Sequence, residues 1–404
     1  MRAKKIEMAL AVMVVGVGLV ITAVFGLFVY MSNTATPLHP DAGAVPSATA
    51  SPAPDTSAGA IAEAREAALK ALVAQNLPGL SVAVAVDGDV VWAEGLGWAD
   101  LDAKVPVTPD TRFGIGTAST ALTSAGVGLL VERGLLGLDD PIQTYVPEFP
   151  QKPWPVTVRQ LMAHVAGVRN DGGDEGPLLS AHCARPVDAL EHFGERDLLF
   201  EPGTDHHYSS YGWILVSAAL EAASRGSFDT FMRTQVFEPL GMDATAADGD
   251  RRPPGPRATQ YFPRFAADPR YGLHLMREVD YSCYSGASVF VSTASDLVRF
   301  GAALERGTLL QRATVDMLRA PQPLTSGRDT GAGLGWEHET VTLHDVPTRT
   351  VGQDGTLLGG RVASLLVVPD HGTIVAVVSN IAYADTFAIA TAVAEAFATR
   401  GPRS

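Results

Sequence analysis

Phe113-Gly-Ile-Gly-Thr-Ala-Ser-Thr-Ala-Leu122 is the stretch that decides the fold of this 404-residue chain. It places small and hydroxyl-bearing residues directly before a long apolar run. We predict a helix from Thr117 to Arg133 that ends at Gly134, because glycine readily adopts the left-handed conformation that closes many helices. Residues three apart share a helix face, so the side chains of Thr117 and Thr120 are expected to lie together at the start.

Strand patterns lie near both ends of the chain. Leu80 to Val86 and Val90 to Gly95 surround Asp87-Gly88, a strong hairpin signal. Arg361 to Val368 and Thr373 to Val378 flank a second turn close to the C-terminus. These patterns predict two pairs of adjacent strands that are far apart in sequence.

Helical patterns accompany the strands. Ile61 to Asn76 and Ala384 to Thr399 are alanine-rich runs, and mainly helical sequence separates the two strand pairs. We therefore predict an α+β fold, with one antiparallel sheet built from N- and C-terminal segments and flanked by helices. An inserted, mainly helical region would cover one side of this sheet.

The N-terminus carries an apolar segment. Residues 8–30 contain no charge and follow cations at positions 2, 4 and 5. A helix of about 20 apolar residues spans a bilayer, and flanking cations stay on the cytoplasmic side. A cleaved signal peptide is the alternative, but its apolar region normally has about 7–15 residues and a cleavage site of small residues. We predict a cytoplasmic segment 1–7, a transmembrane signal anchor 8–30, and an extracytoplasmic (periplasmic) globular domain.

Residues 31–60 are rich in Ala, Pro, Ser and Thr, with few large apolar side chains. Such a segment cannot bury enough apolar surface to offset the entropy that ordering costs, so we predict a flexible linker. The globular domain is then expected over residues 61–404.

Composition restricts the partners. The formal net charge of −14 argues against nonspecific nucleic-acid binding, which depends on cations that neutralise phosphates. Cys183 and Cys283 could form a disulfide in an oxidising compartment, or remain two buried thiols that never meet. His182-Cys183 has no second pair at zinc-ligand spacing, so we expect no metal, and we expect no cofactor.

Several segments, in order along the chain, resemble the serine β-lactamase and penicillin-binding-protein superfamily. Besides residues 113–122 they are Gly95–Asp100, Leu129–Gly134, Leu138–Pro141, Tyr145–Pro150, Leu161–Gly167, Pro202–Gly203 with Tyr208–Ser210, Pro239–Met242, Ser292–Asp296 and Asn380. The sequence of Tyr145–Pro150 is similar to that of the corresponding segment in the mitochondrial serine β-lactamase-like proteins and their bacterial relatives. The resemblance implies a class C-like fold, an active site between the sheet and the helical region, and a serine hydrolase by ancestry.

The first family motif reads roughly Phe-x-Ile-Gly-Ser-x-x-Lys, with serine as nucleophile and lysine as its base. Thr117 stands at the serine position and Thr120 at the lysine position. Threonine can act as a nucleophile if a base is supplied, and losing a positioned base forfeits about 10²–10⁴ in rate. Alternatively, Thr117 to Thr120 merely start the helix with N-cap chemistry. Ser119 is a substitute nucleophile only if the backbone shifts.

The second family motif resembles Tyr208-Ser-Ser210. Tyr208 stands at the position of the family tyrosine, a candidate general base or proton shuttle, and Ser210 replaces an asparagine that donates to the substrate. An unperturbed phenol near pKa 10 is only about a thousandth ionised at pH 7. His206 or His207 could replace the missing base, since histidine titrates near neutral pH. The alternative is that both are exposed turn residues.

The third family motif, Lys or His, then Thr, then Gly, resembles Gln353-Asp354-Gly355. In relatives this triplet lines the pocket and attracts a substrate carboxylate. Here an amide replaces the cation and a carboxylate replaces the threonine. An anion at that position would repel an anionic substrate by roughly 1–4 kcal/mol. We therefore expect a small-molecule or peptide-like substrate that is not anionic.

Three functions stay open. The first is a membrane-anchored hydrolase of an ester or amide, with Thr117 as nucleophile, Tyr208 as shuttle, and a nearby histidine or Asp354 as base. Backbone N–H groups would supply its oxyanion hole. The second is a catalytically inactive relative whose cleft binds a cell-envelope ligand or a partner. The third is a structural protein that self-assembles through the fold.

Overall fold

The computed structural model describes residues 2–34, 36–50, 58–170, 181–250, 255–264, 268–357 and 359–398. Its strands are Ser47–Thr49 (β1), Gly79–Val86 (β2), Asp89–Asp100 (β3), Val105–Pro106 (β4), Phe113–Gly114 (β5), Ala246–Ala247 (β6), Tyr261–Pro263 (β7), Leu273–Leu275 (β8), Phe290–Ser292 (β9), Glu337–Leu343 (β10), Val346–Leu357 (β11), Arg361–Val368 (β12) and Thr373–Ser379 (β13). Its α-helices are Arg2–Thr34 (α1), Ala58–Ala74 (α2), Ser119–Glu132 (α3), Val158–Met162 (α4), Leu190–Phe193 (α5), Ser210–Ser224 (α6), Phe228–Met232 (α7), Ala294–Glu305 (α8), Arg312–Arg319 (α9) and Thr386–Phe397 (α10).

The main sheet is antiparallel and runs in the order β1-β3-β2-β13-β12-β11-β10, with β4 paired to β3. Strands from the two ends of the chain meet where β2 pairs with β13, and there Leu80 lies opposite Ser379 and Val86 opposite Thr373. The predicted α+β fold, with a sheet built from both termini and a mainly helical insertion, is confirmed.

Apolar side chains cover both faces of this sheet, because successive strand residues point to opposite sides. α2 and α10 pack on the face that carries Val82 and Leu366. Helices of the inserted region, α3 and α8 among them, belong to the core of the face that carries Ala83 and Leu365. Any side chain on a central strand therefore belongs either to the α10 side or to the side of the inserted region.

The segment expected to be a flexible linker is partly ordered. α1 continues to Thr34, and Ser47–Thr49 pairs with Glu94–Leu96 of β3 at the edge of the sheet. The linker prediction is wrong for these residues, because backbone hydrogen bonds hold β1 and need no apolar side chains. Residues 51–57 of the same segment lie outside the described part.

Cys183 and Cys283 form a disulfide, which is the first of the two alternatives that the sequence left open. The bond joins residues 100 positions apart. Closing a loop of that length removes conformational entropy from the unfolded chain and stabilises the fold by about 4–5 kcal/mol in the entropy model. It ties the segment before α5 to the short turn Ser282–Tyr284 inside the inserted region.

α1 is long and apolar enough to cross a membrane. Its Val12–Thr34 span has a mean hydropathy of 2.7, and 0% of it is buried inside the protein. An N-terminal anchor and a signal sequence share these properties.

Candidate functional site

A tight turn carries the first motif. Gly116–Ala118 forms a 3₁₀ turn before α3, and Gly116 has a φ of +51°, a left-handed conformation that favours glycine. Thr117 is 4% exposed, and the Thr120 hydroxyl donates to the Thr117 carbonyl at 2.9 Å. No side chain caps α3, whose N-cap residue is Ala118. The N-cap explanation of Thr117 and Thr120 is therefore wrong.

Ser119 lies buried on the first turn of α3. Its hydroxyl oxygen accepts a hydrogen bond from the backbone N–H of Phe290 in β9, at 3.4 Å. This contact gives no support to Ser119 as a substitute nucleophile.

β11 passes directly against this turn. A Cβ built on Gly355 would lie 2.3 Å from the Ala118 nitrogen and 2.6 Å from the Ile115 carbonyl oxygen. Only glycine permits such an approach of two backbones. The structure thus brings Gly355 of the third motif onto the turn that carries Thr117.

Asp354 lies on the other face of the sheet. Its carboxylate accepts a hydrogen bond from the Ser364 hydroxyl, which also lies 2.7 Å from the Thr386 hydroxyl of α10. Since side chains alternate along a strand, Gly355 faces the inserted region while Asp354 faces α10. Asp354 also lines a cavity of about 260 Å³ together with Glu337, Glu339 and Gln353, so its assignment to the substrate site stays a prediction.

Gln353 connects the third motif to a cavity of about 170 Å³. Two residues along a strand span about 7 Å, so this cavity begins close to the turn that Gly355 contacts. The residues that line it are His164, His206, Tyr208, Thr330, Gly331, Ala332, Gly333, Gly335, Trp336, Glu337, His338, Glu339 and Gln353. Tyr208 and His206 of the sequence prediction are thus brought together with Gln353, and Thr117 is not among the lining residues.

His164 fixes the position of Tyr208. The two rings stack with centroids 4.5 Å apart and an interplanar angle of 29°. The Ser209 backbone N–H donates to Nδ1 at 3.1 Å, and the Trp213 indole N–H faces Nε2 at 3.3 Å. His164 has a φ of +59°, a conformation that costs non-glycine residues about 1–3 kcal/mol and persists where surrounding contacts determine it.

Burial, followed by the nearby His206 and His207, lowers the pKa of His164 to about 3. The ring is therefore neutral at pH 7 and cannot serve as a base near neutrality. His164 lies in the Leu161–Gly167 segment that resembles the family, but the sequence analysis did not assign it to the site. Its position as the histidine of that family segment was the signal that could have found it.

The two candidate histidine bases separate in the structure. His206 is half-buried and lines the cavity, and burial lowers its pKa, so its ring is neutral at pH 7. His207 has an exposed side chain, and its backbone N–H donates to the His164 carbonyl at 2.9 Å. Of the two, only His206 lies at the cavity.

Ser210 is the first residue of α6 and is buried. The helix is capped by its neighbour Ser209, whose hydroxyl accepts from the Gly212 backbone N–H. In the part of the chain that the structure describes, the Ser210 hydroxyl has no hydrogen-bond partner. It keeps a polar group where the family has its asparagine.

Glu337 supplies a carboxylate that sequence reasoning missed. It lies at the start of β10, lines the cavity and accepts a long hydrogen bond from the Gln353 amide at 3.5 Å. Burial, followed by the charges of Asp354 and Glu339, raises the pKa of Glu337 to about 7. No motif marks this residue. The β10–β11 pairing places it opposite Gly352, on the same face as Asp354, and it lines both the cavity of Tyr208 and a second cavity that contains Asp354.

The charge of the cavity follows from its lining. Two carboxylates and three imidazoles line the cavity, and none of its described lining residues is Lys or Arg. Among the described residues, no group of three or more His, Cys, Asp or Glu side chains is placed to hold a metal ion. The arrangement offers hydrogen bonds and negative charge to a ligand, and hydroxyls but no amine for nucleophilic chemistry.

Comparison with known proteins identifies the family of this chain. Residues 65–399 match the family model described as Beta-lactamase. The chain is 28% identical over 267 residues to penicillin-binding protein 4* of Bacillus subtilis (strain 168), covering 63% of this chain and 58% of that protein. It is 28% identical over 298 residues to the mitochondrial serine beta-lactamase-like protein LACTB of Homo sapiens, covering 57% of this chain and 54% of that protein. The chain thus aligns with a little over half the length of these relatives.

A solved structure shares the fold. The D-amino acid amidase from Ochrobactrum anthropi SV3, complexed with D-phenylalanine, has a TM-score of 0.69 and 22% identity, covering 82% of this chain and 98% of that one. At that identity the likeness supports the common fold alone.

Proposed function

The chain belongs to the β-lactamase family, and we propose that within it this protein is a membrane-anchored receptor-like member with an altered active site. Its cleft would bind a small amide- or peptide-like molecule that carries a cationic group, without rapid turnover. One observation carries the proposal: the cavity beside Tyr208 is lined by Glu337 and Glu339 and by neither Lys nor Arg.

The charge of the cleft favours a cationic ligand. At about 4 Å, two unit charges interact by about 1 kcal/mol in water and by about 4 kcal/mol at an effective dielectric constant of 20. Glu337 would attract an ammonium group and repel a carboxylate by amounts in that range. With a pKa of about 7 it is roughly half ionised at pH 7 in the empty cavity, and a bound cation would favour its ionised form.

Slow turnover follows from the first motif. Thr117 is nearly inaccessible, and its neighbour Thr120 carries a hydroxyl bonded to a carbonyl instead of an amine. The absence of a positioned base forfeits about 10²–10⁴ in rate. The methyl group of threonine also crowds an incoming carbonyl.

The N-terminal helix α1 supports a location of the cleft on the extracytoplasmic side of a membrane. Its uncharged run and the preceding cations support an anchor with the globular domain on the extracytoplasmic side. A ligand of that compartment with an amide bond and a free amine would suit both the location and the charge.

Calorimetric titration of the full chain in detergent tests this proposal. D-phenylalaninamide, which is cationic, is expected to bind at least tenfold more tightly than neutral N-acetyl-D-phenylalaninamide or anionic N-acetyl-D-phenylalanine. Glu337→Gln is expected to remove this preference, whereas the exposed-site control Glu148→Gln is expected to keep it. Equal affinities for the three compounds, or rapid release of ammonia from the amide, would refute the proposal.

Hydrolysis is the second candidate, and one observation favours it. His206 lines the same cavity as Tyr208 and is neutral at pH 7, so it could accept the proton of an attacking hydroxyl. Fluorophosphonate labelling that disappears in Thr117→Ala and weakens in His206→Gln would establish this activity. Gain of esterase activity in the double variant Thr117→Ser, Thr120→Lys would show that only the chemical groups were missing. Size-exclusion chromatography of the same samples tests self-assembly.

A further inference from the structure

The outer end of α1 contacts the globular domain. The ring of Phe28 lies 5.0 Å from the ring of Tyr271, edge to face, and Tyr271 closes the short turn Pro269–Tyr271. α1 continues only to Thr34. The helix and the domain are therefore in contact before the helix ends.

The chain that follows α1 enters the domain at once. The Leu38 backbone N–H donates to the Asn76 side chain at 2.7 Å, and the Asn76 amide donates to the Pro269 carbonyl at 3.3 Å. His39 is buried beside the Pro78 carbonyl. A segment with so little free length cannot let the domain move far from the end of the helix.

The apolar run of α1 indicates how deep in the bilayer this contact lies. The apolar side chains of α1 end at Met31, before Ser32, Asn33 and Thr34, and at 1.5 Å per residue Phe28 lies about 5 Å before that end. If this run fills the hydrocarbon core, Phe28 and Tyr271 lie at the outer boundary of the bilayer. Tyrosine is enriched at that boundary, where its ring is in the apolar layer and its hydroxyl in the polar one.

Further apolar side chains lie on the β7–β8 strand pair that follows Tyr271. Leu275 at the end of β8 is 60% exposed and lies opposite Tyr261 of β7. Phe262 faces the other side of this pair, where its ring lies 5.9 Å from the ring of Tyr383, which is 40% exposed. We name Phe262, Tyr271, Leu275 and Tyr383, which lie at the start and on the two faces of this strand pair, the anchor-side patch. Exposed apolar side chains at one end of a soluble domain favour a contact surface there.

We propose that the anchor-side patch lies on the outer surface of the bilayer that α1 crosses, with the headgroup and upper acyl region of the lipids as its partner. The inference rests on the membrane anchor proposed above and adds a fixed orientation to it. The globular domain would be docked on the membrane, and its cleft would keep one direction relative to the lipid surface.

The sheet offers a matched control position. Val346, 48% exposed, lies at the β10–β11 turn, beyond the pair Val351 and Val367. The anchor-side patch lies at the other end of the sheet, because Tyr261 of β7 bridges to Ile381, just after β13 ends at Ser379. Labels at Leu275 and Val346 therefore report on opposite ends of the domain.

The test uses the full chain in vesicles of phosphatidylcholine and phosphatidylglycerol. Leu275→Cys and Val346→Cys each receive an environment-sensitive fluorophore, since the native cysteines are joined to each other. Lipids with a nitroxide near the headgroup are expected to quench the label at position 275 at least threefold more strongly than the label at position 346. A blue-shifted emission at position 275 is expected with it.

Flotation of the vesicles separates the two proposals. A chain that floats but shows equal quenching at both positions overturns the docking and leaves the anchor intact, and a chain that does not float overturns the anchor. Self-quenching between labels at position 275, without quenching by the lipid nitroxide, would assign the patch to a second copy of the chain and overturn the lipid partner.

Discussion

Gln353 and Asp354 are neighbours in β11, yet their side chains belong to different environments. Gln353 lines the cavity that contains Tyr208, whereas Asp354 is bonded to Ser364 on the side of α10. The third motif therefore contributes an amide to this cavity, and its carboxylate lines a second cavity on the side of α10. Glu337 and Glu339 line both cavities, and the charge of Asp354 contributes to the raised pKa of Glu337.

Asp354→Asn is expected to weaken binding less than Gln353→Ala does, because Asp354 does not line the cavity that contains Tyr208 and acts on Glu337 only through its charge. Gln353→Ala is the matched change on the cavity side and is expected to weaken binding several-fold, since it removes the amide that Glu337 accepts from. Calorimetric titration of both variants with D-phenylalaninamide decides the point. Weaker binding in the Asp354 variant alone would reverse the assignment of the two faces.

The stability of the protein is expected to fall as pH rises through the titration of Glu337. Its pKa is raised from an ordinary 4.5 to about 7 in the folded state, so the folded state holds the proton more tightly. The resulting stabilisation is complete below pH about 4.5 and is lost as pH approaches and passes about 7. Its full size is about 3 kcal/mol.

Glu337→Gln removes this titration. The free energy of unfolding of the variant, measured with denaturant at pH 5 and pH 8, is expected to change less with pH than that of the parent, by about 2–3 kcal/mol. Identical pH dependence in parent and variant would show that Glu337 titrates normally. Glu148→Gln, at an exposed position, serves as the control.

His164→Ala is expected to destabilise the fold by about 1–3 kcal/mol, because it leaves the buried Ser209 N–H, which donates to Nδ1, without its acceptor. It also removes the ring on which Tyr208 stacks, so ligand affinity is expected to fall with it. His207→Ala, whose side chain is exposed, should change neither quantity. Denaturant unfolding and ligand titration measure the two effects separately.

Gly355→Ala is expected to disrupt the contact between β11 and the turn of Thr117, since the new methyl group would lie 2.3 Å from a backbone nitrogen. Overpacking of this kind costs about 1–3 kcal/mol or more. Gly59→Ala in α2 is the matched control, because a Cβ there meets nothing within 4 Å and alanine favours helix by up to about 1 kcal/mol. Thermal unfolding is expected to shift down for the first variant and up for the second.

The disulfide between Cys183 and Cys283 is expected to contribute up to about 4–5 kcal/mol of stability. The double change to serine should lower the denaturation midpoint, and added reductant should lower that of the parent but leave the double variant unchanged. A parent protein insensitive to reductant under denaturing conditions would show that the bond does not form in solution.

Much of the fold could be predicted from sequence because its signals are local. Hairpin residues at Asp87-Gly88 and the apolar runs of β12 and β13 predicted strands within a few residues of those observed. The helix after Thr117 was predicted almost to its observed end, although its first turn is a 3₁₀ turn. The β1 strand was missed, because an edge strand held by backbone hydrogen bonds leaves no apolar pattern in the sequence.

By itself, the sequence determined the family and predicted Thr117 and Thr120 at the positions of its serine and lysine, since residue identity does not depend on the fold. Only the tertiary structure decided which side chains share the site. It directed Asp354 toward α10, brought Glu337 to the cavity and stacked His164 on Tyr208. The physical reason is that the direction of a strand side chain, and the partner across a ladder, depend on register and on the layers packed against each face, and these arise from residues far apart in sequence.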